Sequence, residues 1–214
     1  MAVDFLFKDK YNINDLIEIV RILRAPGGCP WDIKQTHASI KKDFIEETYE
    51  VVEAINKDDK TLLCEELGDV LLQVAFHSDI ERENGTFDFG DVADGICKKL
   101  IIRHPHVFGD VKADTADEVL TNWDEIKRRT KHQKSVAQSI DSIPRELPAL
   151  MRASKIQSRA AKTGFDFDST DSALDKITEE TAELKEAVAS GDKTKISDEL
   201  GDLLFAAVNV ARFT

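Results

Sequence analysis

The feature that most constrains this chain is an internal repeat. The segment EETYEVVEAINKDDKTLLCEELGDVLL (residues 46–72) aligns without gaps to EETAELKEAVASGDKTKISDELGDLLF (residues 179–205), with about half of the paired residues identical. Self-similarity of this kind marks one supersecondary unit used twice. Glu47, Glu50, Glu66 and Asp69 correspond to Glu180, Glu183, Glu199 and Asp202. Whatever the first copy frames with acids, the second frames as well.

Apolar residues recur at three- and four-residue spacing through most of the chain, and glycines and prolines fall at punctuation points. An all-α fold follows, built as tandem helical-bundle repeats. Helices are expected at about 12–24, 37–56, 61–83, 88–103, 116–131, 149–162, 171–189 and from 194 onward. The stretch SVAQSIDSIPRELPAL, with Pro144 and Pro148, reads as a linker. The expected organisation is a first domain over 1–135, a linker over 136–148 and an incomplete second domain over 149–214.

Helical geometry gives the acids a common direction. Residues three apart share a face, so Glu47 projects with Glu50, and Glu66 with Asp69. Glu47 shares its row with Phe44, Val51 and Ala54, while Glu66 and Asp69 lie on a row with Leu62 and Gln73, which borders the apolar stripe. The short turn at residues 57–60 makes the two helices antiparallel neighbours. Counted outward from Asp58, Glu50 and Glu66 are equidistant, as are Glu47 and Asp69. Four carboxylates should therefore face one another at two adjacent levels, and the second repeat should copy them.

Inward-facing anions repel and are costly to desolvate unless a cation joins them. Neither repeat offers histidine within its acidic motif, and no Glu-x-x-His occurs anywhere, which disfavours a softer di-iron site. Oxygen-only ligands suit Mg2+, with Mn2+ as the substitute. Gly68 and Gly201 sit in mid-helix, where glycine costs roughly 1 kcal/mol against alanine. Close approach by a neighbouring helix or a ligand would account for them, and the alternative is that they are inherited and inert.

Composition narrows the partners. The formal net charge of -12 opposes binding to DNA or RNA, since such binders need a basic face. The run KRRTKHQK at 127–134 is read as a solvated helix end. No stretch approaches the length of a membrane span and the start, MAVDFLFKDK, lacks an apolar signal region. Cys29, Cys64 and Cys97 are odd in number and widely spaced, so neither a disulfide framework nor a thiolate metal site is expected. These readings point to a cytoplasmic protein without nucleic-acid or membrane partners.

The pair EETYE and EELGD resembles the ExxE and ExxD motifs of the all-α nucleoside triphosphate pyrophosphohydrolases. GGCPWDIKQTHASI (27–40), LIIRHPHVFGD (100–110), NWDEIK (122–127) and IPRELPALMRASKIQSRAAKTGFDF (143–167) are similar to the MazG family in particular. The resemblance covers essentially the whole chain. It implies a helical bundle, a homodimer, and Mg2+-dependent hydrolysis of nucleoside triphosphates to the monophosphate and pyrophosphate. Glu47, Glu50, Glu66 and Asp69 would be the catalytic, metal-holding acids, with Glu47 as the candidate proton acceptor. Glu180, Glu183, Glu199 and Asp202 would hold metal in the second copy.

A triphosphate also needs protein cations. Lys99 and Arg103 stand one helical turn apart and are the candidates for the phosphate tail. The resemblance supports them and adds Trp123 as a base-stacking residue. His104 and His106, flanking Pro105, are read as loop formers. Trp31 and Asp32 either line the pocket mouth or anchor their loop. Counterparts of Lys99 and Arg103 in the second copy would fall beyond residue 230, past Thr214. The second copy is thus expected to hold acids without the phosphate-binding helix, and the alternative to an enzyme is a non-catalytic Mg2+- and nucleotide-binding or dimerisation module. Stacking and phosphate contacts are base-tolerant, so the sequence selects no nucleobase.

Overall fold

The computed structural model describes residues 5–213, apart from 114, 117, 120, 121, 124, 125 and 127–134. The chain divides into two compact units, Met1–Val111 and Lys112–Thr214, and among the described residues every regular element is helical. The basic run at 127–134 and most of the helix expected over 116–131 lie outside the described residues.

In the first unit, α1 (Ile13–Arg24) starts at a capping box in which Asn12 and Asp15 satisfy each other's backbone amides. After a single 3-10 turn at Asp32–Lys34 come α2 (His37–Asn56), α3 (Lys60–Asn84), α4 (Phe89–Arg103) and the short α5 (Pro105–Phe108). Thr36 caps α2, Asp59 caps α3 and Asp88 caps α4, and Gly85 closes α3 in the left-handed conformation at φ 72°. Helices α2 and α3 form an antiparallel hairpin, with α1 and α4 against α3. The core is small: Val20, Ile40, Ala75, Phe76 and Ile80, with Leu16, Leu72 and Phe89 packed on it.

Two polar clusters brace that core. Arg24 is buried, stacks over the Phe76 ring and pairs with Glu83 at 2.7 Å and Asp79 at 3.5 Å. The same guanidinium donates to the carbonyls of Asp32 (2.8 Å) and Gln35 (3.3 Å), so it fastens the GGCPWD loop to α3. Gly28 is required there, because a Cβ would come within 2.4 Å of the Ile22 and Leu23 carbonyl oxygens. Asp32 thereby serves as an anchor through its backbone, while Trp31 stays 61% exposed.

The second cluster ties the open end of the hairpin. His37 at the start of α2 meets His77 of α3 with stacked rings and Nδ1 atoms 2.7 Å apart, and its Nε2 lies 2.6 Å from Glu81. The α2–α3 hairpin is therefore held at one end by its turn and at the other by imidazoles.

In the second unit, α6 (Val136–Asp141), α7 (Ala149–Ala161), α8 (Thr170–Ser190) and α9 (Lys193–Phe213) follow. Helices α8 and α9 repeat the hairpin, and α7 packs against α9. Gln157 of α7 donates to the Phe205 carbonyl at 2.6 Å, and Arg212 pairs with Asp166. The segment expected as a linker contains α6, and Ile143 just beyond it is 1% exposed. Arg159 of α7 binds the Ser139 carbonyl and the Ser142 hydroxyl, so this stretch packs onto its own unit.

Candidate active site

The turn between α2 and α3 sets the register on which the acids depend. Asp59 accepts from the amides of Thr61 and Leu62, while Asp58 adopts φ 53°. In the other hairpin the equivalent position is Gly191, at φ 72°. Both turns use one left-handed residue to reverse the chain, which leaves the two helices matched level by level.

That register brings three of the four expected acids of each repeat together. Carboxylate oxygens of Glu47, Glu66 and Asp69 lie within 4.8 Å of one another, as do those of Glu180, Glu199 and Asp202. Glu66 and Glu180 are buried. Glu50 borders the first trio closely enough to hydrogen-bond Glu47 and to act on Glu66, and Glu183 stands beside Glu180 and Glu199.

Electrostatics record the crowding. The Glu47 carboxyl is pushed up to about 7 by desolvation, then by the charge of Asp69, by the hydrogen bond it donates to Glu50 when protonated, and by the charges of Glu50 and Glu66. Glu66 is raised for the same kinds of reason, desolvation first and the Glu50 and Asp69 charges next. Partial desolvation and the Glu180 and Glu199 carboxylates raise Glu183. A protonated carboxyl is one way to relieve such a group; a hard divalent cation is the other. The all-oxygen donor set and its spacing fit magnesium or manganese.

The second trio contains a cation of its own. Lys176 reaches Glu180 at 2.6 Å and Glu179 at 3.0 Å, and those two hydrogen bonds raise its ammonium above the usual lysine range. The corresponding residue in the first repeat is Asp43. Lys176 is not among the residues expected from the sequence, although its (i, i+4) spacing to Glu180 is the pattern of a helical ion pair.

The other expected site residues are placed as follows. Lys99 is exposed on α4, and it forms no ion pair among the described residues, whereas its neighbour Lys98 is tied to Asp94 at 2.5 Å. Arg103 is half-buried at the end of α4. Trp123 is a half-buried helical residue of the second unit. His104 caps α4, with its ring Nδ1 2.7 Å from the Leu100 carbonyl, in keeping with a role in the loop. The close neighbour expected at Gly68 and Gly201 is not found: a Cβ at either would meet nothing within 4 Å among the described residues.

The chain is similar in sequence to known proteins. Residues 35–108 and 149–214, one hairpin each, match the MazG nucleotide pyrophosphohydrolase domain. The chain is 47% identical over 205 residues to the nucleoside triphosphate pyrophosphohydrolase of Escherichia coli K12, an alignment covering 94% of this chain and 77% of the relative. It is 45% identical over 199 residues to the nucleoside triphosphate pyrophosphohydrolase/pyrophosphatase MazG of Thermotoga maritima, covering 93% and 75%. A Mycolicibacterium smegmatis nucleoside triphosphate pyrophosphohydrolase is 36% identical over 181 residues, covering 81% and 55%. With two domain matches that each enclose one acidic hairpin, the chain belongs to the MazG nucleotide pyrophosphohydrolase family.

Proposed function

We propose that this protein hydrolyses nucleoside triphosphates to the monophosphate and pyrophosphate, using Mg2+ held by the first acidic hairpin, with Mn2+ able to replace it. The convergence of Glu47, Glu66 and Asp69 within 4.8 Å, beside Glu50, is the observation that carries this reading. When bound, the cation supplies a Lewis acid that offsets charge on the α-phosphate and acidifies a water. Lys99 and Arg103 grip the β- and γ-phosphates, where cations stabilise the leaving pyrophosphate; Trp123, on the strength of the sequence resemblance alone, is the candidate for stacking on a base.

Glu47 is the proposed acceptor of the water's proton. Its membership of the converging trio favours a second assignment, in which Glu50, outside the trio, takes that part. An E50Q protein that binds Mg2+ but turns over slowly, with E47Q losing Mg2+, would move the role to Glu50.

The decisive assay is a panel of nucleoside triphosphates with Mg2+, scored for pyrophosphate against single phosphate. Pyrophosphate as product supports the proposal, and stepwise release of single phosphates defeats it.

We also propose a homodimer. Exposed Ile45, Tyr49 and Val52 form a stripe on α2, and Val92, Ile96 and Leu100 form another on α4; apolar surface of this kind usually meets a partner. A monomer in sedimentation would refute it. Among the described residues no helix is long and apolar enough to cross a membrane. The three cysteines are free, in keeping with a reducing cytoplasm. The domain division proposed from the sequence is 1–135 and 149–214, whereas the compact units divide between Val111 and Lys112; limited proteolysis that spares 136–148 would replace the proposed division by that one.

A further inference from the structure

The row of α3 that carries Glu66 and Asp69 does not end with them. At 100° per residue, Gln73 falls between the two in projection and one turn farther along the helix. Helical side chains lean toward the N-terminus, so the Gln73 carboxamide extends back over the turn of Asp69. Its Oε1 is buried and accepts no hydrogen bond among the described residues. His77, the next residue along the row, is engaged with His37, and Asp43, level with Gln73 on α2, is an acceptor only.

This buried acceptor, one helical turn from Asp69 on its own helix, has no donor among the described residues. The donor-bearing species that such a site attracts is a hydrated cation, since magnesium keeps several of its waters and water on a metal donates strongly to a neighbouring oxygen. A neutral amide can take that hydrogen bond without adding another negative charge. The second repeat has Ala206 at this position, buried within its hairpin, so the fold itself does not need glutamine there.

We propose that Gln73 is a positioning residue of the first acidic site, its Oε1 accepting a hydrogen bond from a hydration water of the divalent cation held by Glu47, Glu66 and Asp69. This rests on the assignment of that trio as a metal site. Gln73 orients the cation's water shell, and it does so in the first hairpin alone.

The test is calorimetric titration of the full chain with Mn2+ and Mg2+, in an E199Q/D202N background that removes the second site from the measurement. Q73A and Q73M should each bind about 10-fold more weakly, with metal-free melting temperatures close to the parent's. Q73E, which keeps an acceptor oxygen, should recover the affinity. Unchanged binding in Q73A and Q73M, with binding abolished by E66A/D69A, would overturn the role of Gln73 and leave the metal site standing. A loss that Q73E fails to recover would also overturn it, as a packing effect. Absence of divalent binding by the parent would sink the metal site and this inference together.

Discussion

The two hairpins share an acidic frame and differ in what surrounds it. In α2–α3 the frame continues into Asp43, Gln73 and His77, and the hairpin's open end is tied through His37 and Glu81. In α8–α9 the same positions hold Lys176, Ala206 and Val210, and the lysine already binds Glu180 at 2.6 Å. Duplication thus preserved the metal-type geometry while the electrostatic setting diverged. The first site has no lysine or arginine ion pair of its own among the described residues, whereas the second carries part of its own relief.

Removing acids gives the largest expected effect on that comparison. E66A/D69A should lower pyrophosphate release by more than about 100-fold, in line with losses for disturbed metal sites, and E199A/D202A should have the smaller effect. Initial-rate assays check this, and the reverse order would make α8–α9 the working hairpin.

The second expectation concerns pH. Glu47 titrates near 4.5 when unfolded and at about 7 in the metal-free fold. Its contribution to stability is complete below pH 4.5 and is lost as pH rises through 7, because the unfolded chain gives up that proton first. Metal-free wild type should therefore lose melting temperature across this window relative to E47Q, and Mg2+ should reverse the loss. Parallel pH profiles for the two proteins would show that Glu47 is not crowded as described.

A smaller change is expected from K176A. The Lys176 side chain is 35% exposed, so solvent screens its pair with Glu180 and limits its worth. Divalent affinity at the second trio should rise about threefold, measured by titration in an E66A/D69A background. Weaker binding in K176A would mean that the lysine organises the acids and does not compete for them.

The smallest change is at the turns. Asp58 holds the left-handed conformation that Gly191 holds in the other hairpin, at a cost of roughly 1 kcal/mol for a residue with a side chain. D58G should stabilise the protein by up to that amount in denaturant unfolding, and G191D should destabilise it comparably. A destabilising D58G would show that the aspartate side chain contributes more than its backbone costs.

Much of this is legible in the sequence alone. Helices α2, α3, α4, α8 and α9 fall within a residue of their expected limits, because caps such as Thr36, Asp59, Asp88 and Ser169 act on neighbouring amides. The short α6 was not expected, since the serines and prolines around it suggest a linker and its stability comes from contact with α7. Lys99, Arg103 and Trp123 were marked by their chemistry, but spacing along the chain could not say what each one touches.

By itself the sequence determined the repeat, the helical periods and the face on which the acids lie, because those depend on residues a few positions apart. Only the tertiary structure decided that Glu47, rather than Glu50, joins Glu66 and Asp69, that His37 finds His77 across 40 residues, and that the Gln73 oxygen has no partner among the described residues. Each of these is settled by how two helices meet side by side, and the pairing of distant side chains has no signature in local periodicity.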